Sequence, residues 1–410
     1  MLFPACYNEN ISPKVMPSKK FKIYIFLGIA VIFAFFVLFQ KNNASKQTTS
    51  SQPTETISKN TQSQTENQPT QKNCPSGFIL VPGDPLYHTD DFCVMKYDAK
   101  CALSSDITQG IQPDNGSACA GEKGGRFEGT YKNNGPGCAC RGNKQIVSAA
   151  SGFPVTFLPL ASNDQDNAKA YCQARRWHVM TNSEWMTIAR NAEQVPENWC
   201  DQNGSHCGFA PGTSGKILAN GHNDSNNEMN AGASSDGALA AGADSQPCFG
   251  TTTDGSNACG SNGSQKRTLQ LSNGGILWDF AGNVWSWVDA TIARKDQPQS
   301  QTNGVLDRGF IWSDFTPGSL SSVITDNGQP PSLGYDAFRP SNPVWNATNG
   351  VGRIYHFSGA ADNSTVQYGL IRGGNWRHGY DSGAFCVHLS PPPSTANIDD
   401  VGFRCAASLQ

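Results

Sequence analysis

The sequence predicts an α+β fold, rich in loops, carried behind one N-terminal transmembrane helix. Three observations predict it. Strand-like segments stand near both ends of a long region, around Phe78–Tyr97 and around Leu370–Phe403. Two segments with helix-start spacing lie between residues 162 and 189. The remainder carries most of the 42 glycines and many Asn and Ser, while only 15% of residues are charged. Such stretches favour turns and loops over long regular elements. A chain of 410 residues can bury a full core, and a net charge of -3 gives no basis for nucleic-acid binding.

The first element is the apolar run Ile23 to Phe39. As a helix it is about 25 Å long, close to the thickness of a hydrocarbon core. Its length exceeds the apolar part of a cleaved signal, so it reads as an anchor. Lys14, Lys19, Lys20 and Lys22 precede it, and only Lys41 and Lys46 follow closely. That bias places the N-terminus in the cytoplasm and the bulk of the chain outside. The expected layout is a cytoplasmic tail over 1–20, a membrane helix over 21–40, a Ser/Thr/Gln-rich disordered stalk over 41–73, and a folded domain over 74–410. The stalk has a reach of roughly 30 Å as a random coil.

The folded domain opens with Gly77 to Gly83 and Phe92 to Tyr97, two strands joined by a polar loop. Residues 101–150 read as an irregular, Cys-bearing insertion. Ser162 precedes Gln165 by a capping-box interval and predicts a helix through Tyr171 to about Arg175. Thr181 and Glu184 repeat the interval and predict a second helix through Trp185 and Ile188, which gives Glu184 a structural task. Residues 201–265 are dense in Gly, Asn, Ser, Asp and Ala and read as surface loops, some with oxygen ligands suited to calcium. Leu370, Ile371 and Trp376, then Val401 and Phe403, read as strands around a long exposed loop.

Of 14 cysteines, only Cys6 precedes the apolar run. The density after it suits disulfides in an oxidising compartment and supports export. The close pairs Cys138/Cys140, Cys200/Cys207 and Cys248/Cys259 lack the His spacing of a zinc site and read as stapled loops. Spacing does not decide the connectivity, and the odd number beyond the anchor leaves one thiol over.

Three ordered blocks carry a resemblance. Arg372-Gly373-Gly374-Asn375-Trp376 with Val401-Gly402-Phe403-Arg404-Cys405 resembles the closing segment of the sulfatase-modifying-factor family, which includes the formylglycine-generating enzymes. Asp166 to Cys172 with Met180 to Trp185, and Leu277 to Trp287, resemble its helix and its Gly-Asn-Val-Trp segment. The resemblance implies a C-type-lectin-like domain over 74–410 and a disulfide between Cys172 and Cys405. It also implies a structural calcium ion on Asp279, Gly282, Val284 and Ser286, although Ser286 stands where the family has Glu. The enzymes of the family bind copper through a cysteine pair five apart. Here Arg377, His378 and Asp381 to Gly383 occupy that stretch, so no copper is expected. His378 and His388 with Asp399 and Asp400 lack the regular spacing of a metal site and read as solvated loop residues.

The C-terminal block also resembles the cassettes of a subgroup of this family, the variable proteins of diversity-generating retroelements. In these an error-prone reverse transcriptase rewrites adenines. Randomising the adenines of an Asn codon reaches every residue type except Lys, Glu, Gln, Met and Trp, and none of the five occurs from Arg377 to Val401. At ordinary usage they make up roughly a fifth of residues. Within a variable region over 376–405, the positions expected to vary and contact a ligand are Arg377, His378, Tyr380, Asp381, Phe385, Cys386, His388, Ser390, Pro391, Asp399 and Asp400. A varied Cys386 would account for the unpaired thiol. The expected function is a surface-displayed receptor for an extracellular protein or cell-surface ligand, with no catalytic residue. The alternatives are a formylglycine-generating-type oxidase and a non-diversified structural subunit.

Overall fold

The computed structural model describes residues 73–110, 144–152, 154–156, 164–201, 206–223, 266–298, 310–315, 334–357, 365–376, 378–390 and 400–409. The chain divides into Met1–Asn67 and Gln68–Gln410, and every described residue lies in the second unit. The expected tail, anchor and most of the stalk lie outside the described residues. Among the described residues no helix is long and apolar enough to cross a membrane.

Strands β1 (Phe78–Val81) and β2 (Phe92–Met95) form the expected opening hairpin, with Val81 opposite Phe92. All four residues of β2 are buried, because the strand is covered on both faces. Its second neighbour is the C-terminal strand, β16 (Cys405–Ser408), which pairs in turn with β5 (His178–Val179). The resulting sheet has the order β1-β2-β16-β5, so the last strand lies between two early ones.

Between these strands α1 spans Asp164–Gln173 and α2 spans Asn182–Ala192. The capping box that starts α2 is present: Glu184 N donates to Thr181 Oγ1 at 3.2 Å, and Thr181 N donates to Glu184 Oε2 at 2.8 Å. Trp185, Ile188, Ala189 and Ala192 recur at helical spacing and are buried. Trp185 stacks on Phe280 at 3.9 Å, and its indole N–H donates to the Ala384 carbonyl at 2.7 Å. The residue before α1 on which the first capping interval rested lies outside the described residues.

The second sheet holds the C-terminal half, in the order β11-β12-β14-β13-β10-β15. Its strands are β10 (Trp285–Ala293), β11 (Phe310–Ser313), β12 (Ile354–Phe357), β13 (Gln367–Arg372), β14 (Val387–His388) and β15 (Val401–Phe403). The long β10 pairs antiparallel with β13 and parallel with β15. Gly369 lies where any Cβ would meet the Trp287 ring at 2.6 Å, so the close packing of β13 on β10 requires a glycine there.

Two arginines of the C-terminal motif are core residues. Arg404 donates to the Met95 carbonyl at 3.2 Å and to that of Trp278, and pairs with Asp98 at 2.6 Å, all enclosed. Arg372 donates to Asn182 Oδ1 at 2.9 Å and to the carbonyls of Phe385 at 3.2 Å and Ala337 at 3.0 Å. Each arginine spends its terminal nitrogens on joining distant elements, which gives a buried charge partners in a dry setting.

The disulfide Cys172–Cys405 implied by the resemblance is present and ties α1 to β16. Cys74–Cys93 and Cys200–Cys207 are also bonded, the second as a stapled loop. Cys138, Cys140, Cys248 and Cys259 lie outside the described residues.

Two expectations are corrected. Residues 101–150 are not wholly irregular, because β3 (Lys100–Leu103) pairs antiparallel with β4 (Lys144–Val147). Nor are residues 201–265 surface loops throughout. Lys216–Leu218 forms a strand against Trp199–Asp201, and Ile217, Leu218, Ala219, Asn220, His222 and Asn223 are buried. Backbone pairing and the Gly221 turn, with φ 75°, carry this polar-looking segment through the interior.

Candidate functional site

The sequence from β11 to β14 alternates, and the alternation builds a floor. Phe310 faces Phe357, Trp312 faces Tyr355, and Tyr355 faces His388 across successive strands. With period 2, Ser313, Ile354 and His356 turn inward and are buried. Phe310, Trp312, Tyr355, Phe357 and His388 remain half-buried. Their ring centres lie close together: Phe310–Phe357 4.1 Å, Trp312–Tyr355 5.0 Å and Tyr355–His388 4.4 Å. The buried Trp285 continues the row, 5.6 Å from His388 and 5.2 Å from His378. These spacings are those of interacting aromatic pairs, which makes the floor rigid.

Residues 378–390 of the C-terminal stretch adjoin this floor. His388 accepts from Ser390 N at 3.2 Å on Nδ1, which leaves its proton on Nε2. Burial and the neighbouring His378 push its pKa down to about 3, so the ring is neutral. Tyr380 is half-buried beneath the Arg353 guanidinium, 5.0 Å from its ring centre. His378 Nδ1 hydrogen-bonds to Asn375 Oδ1, and Asn375 Nδ2 donates to Asp400 Oδ2 at 2.6 Å. The histidines expected in solvent are therefore packed against aromatic rings.

The residues expected to contact a ligand divide by accessibility. His378, Tyr380, His388, Ser390 and Asp400 are half-buried, and of these His378 and His388 lie against the floor rings. Asp381, Phe385 and Cys386 do not fit the expectation. Phe385 and Cys386 are 0% exposed and Asp381 is 1% exposed. The chain turns under β12 here: Phe385 N donates to Val351 O at 3.1 Å and Val387 N to Arg353 O at 3.1 Å. Asp381 pairs with Arg353 at 3.3 Å. Cys386 is free, as expected, but sealed in the core, where burial holds its thiol well above the usual range. Arg377, Pro391 and Asp399 lie outside the described residues.

At the expected calcium position, both carboxylate oxygens of Asp279 are taken by Arg267, at 2.5 Å and 2.6 Å. Gly282, Val284 and Ser286 follow in the backbone, and the side chains of Val284 and Ser286 are buried. The one anionic member of the set is thus committed to a guanidinium. Among the described residues no three or more His, Cys, Asp or Glu side chains gather as a metal cluster.

No family model and no curated protein matches the chain. Among solved structures it is similar to the I1 and P3c variants of Major Tropism Determinant. The identities are 12% and 10%, the TM-scores 0.27 and 0.26, and 82% of this chain is covered in each comparison. The chain spans about half the length of those proteins, 54% of each. A likeness this low carries no argument about fold or function.

The aromatic floor was not anticipated from sequence. Its signal is present as aromatic residues two apart, Phe310 with Trp312 and Tyr355 with Phe357, in runs short enough to pass for loop.

Proposed function

We propose that this chain is a membrane-anchored, surface-displayed ligand-binding protein with a C-type-lectin-like domain, whose C-terminal loop is diversified by a retroelement. The observation that carries the reading is a coincidence of two independent features. The stretch from Arg377 to Val401 lacks all five residue types that adenine randomisation of Asn codons cannot reach. The same stretch packs His378 and His388 against half-exposed rings of the aromatic floor, with Ser390 bonded to His388 and a half-buried Tyr380 under Arg353.

The division of labour follows from the chemistry. The floor offers rigid aromatic area at low entropic cost, and the loop offers polar groups that orient a partner. The Trp312 ring is half-exposed while its indole nitrogen is buried, so what it offers a partner is aromatic area. An oxidase is disfavoured by the loop's one cysteine, because a copper site needs a thiolate and Cys386 is a buried thiol.

A displayed library randomised at Tyr380, His388 and Ser390 tests the reading. Selection against a purified protein of the investigator's choice should yield folded clones that bind it, and Trp312→Ala in those clones should weaken binding at least about tenfold. Loss of folding across the library, or an absence of binders from a folded library, contradicts it.

A further inference from the structure

We infer that Asn375, which lies outside the group expected to vary, is the positioning residue that sets both ends of the C-terminal loop relative to the aromatic floor. The inference rests on the binding reading above and restricts it: His378 and Asp400 become framework, and ligand contact falls to Tyr380, His388 and Ser390.

Asn375 is 0% exposed and precedes the loop, directly after the Gly373-Gly374 pair of positive φ. Its carboxamide is used at both ends. A carboxylate only accepts, so Asp400 Oδ2 at 2.6 Å orients the amide with Nδ2 towards it. Oδ1 then faces His378 and accepts from Nδ1, which puts the His378 proton on that nitrogen. The Asn375 carbonyl does the same along the backbone, accepting from His378 N at 3.3 Å and from Ser382 Oγ at 3.1 Å. Asp400 in turn donates no side-chain proton but its carbonyl accepts from Trp285 N at 2.8 Å, joining the far end of the loop to β10. One side chain therefore links His378, after β13, to Asp400, before β15, across the stretch that contributes β14 to the sheet. Asparagine alone presents a donor and an acceptor at this reach, since Asp lacks the donor and Leu lacks both.

Amide hydrogen exchange on the full chain tests this with a charge swap. Asn375→Asp sets two carboxylates against each other, and should speed exchange of the His378, Asp381 and Ser382 amides about tenfold. The amides of Ile188 and Ala189 in α2 serve as the internal reference and should hold. Adding Asp400→Asn restores a donor to the pair and should return the loop amides to near wild-type rates. The inference is overturned if the second substitution fails to rescue the first, or if loop and α2 amides shift together. Failure of the library selection with an intact rescue would instead sink the binding reading and leave the clamp standing.

Discussion

His356 is fully enclosed, and both of its nitrogens are used. Nδ1–H donates to the Phe357 carbonyl at 2.7 Å, and Nε2 accepts from the Ser313 hydroxyl at 2.9 Å. Burial pushes its pKa down to about 4 from 6.5, so the folded chain keeps it neutral while the unfolded chain protonates it. The unfolded state then binds more protons between these values, and stability falls as pH drops from 6.5 towards 4. The expected loss from this group is roughly 2–3 kcal/mol. Denaturant unfolding at stepped pH should show the loss, and His356→Gln should make the profile distinctly shallower across that window, leaving the slope that His388 contributes. An unchanged profile in the variant contradicts the assignment. His388 acts in the same direction to lower pH, through burial and His378. Nothing in the flanking sequence marks His356 as core, because its burial is decided by the pairing of β11 with β12. Arg372 and Arg404 were equally opaque: their motif was legible, their burial was not.

At the scale of elements, legibility followed the range of the interaction. The cap at Thr181 and the hairpin of β1 and β2 are decided within a few residues, and both stood where spacing placed them. The pairing of β3 with β4 lies in a stretch read as irregular, and Lys216–Leu218, which pairs with Trp199–Asp201, in one that polar composition had assigned to surface loops. A strand of three or four residues acquires its identity from its partner, and no local period announces it. Among the described residues, the disulfide Cys172–Cys405 is the covalent tie of longest range, joining α1 to β16 across a separation of 233 residues. Closing so long a loop is worth up to about 5 kcal/mol on the chain-entropy account. Replacing both cysteines by Ser should lower the unfolding free energy by roughly 2–5 kcal/mol in a denaturant titration without reductant. A change below about 0.5 kcal/mol, the size of an ordinary surface substitution, would show that the tie is redundant.

For the whole molecule, the site was legible as a stretch and not as a surface. The composition of Arg377 to Val401 located the loop, because the lack of Lys, Glu, Gln, Met and Trp there is visible without folding the chain. Which of its residues face outward depends on the turn that tucks Phe385 and Cys386 under β12, and on a floor supplied by β11 and β12 from far upstream. The account therefore predicts variation with a shape. The measurement is sequencing of this locus, with its flanking DNA, from many cells of one population. The account predicts substitutions concentrated at Tyr380, His388 and Ser390, sparse at His378 and Asp400, absent at Asn375 and Trp312, and mapping to adenines of a neighbouring near-repeat. An invariant stretch from Arg377 to Asp400, with no template or reverse transcriptase nearby, would contradict it.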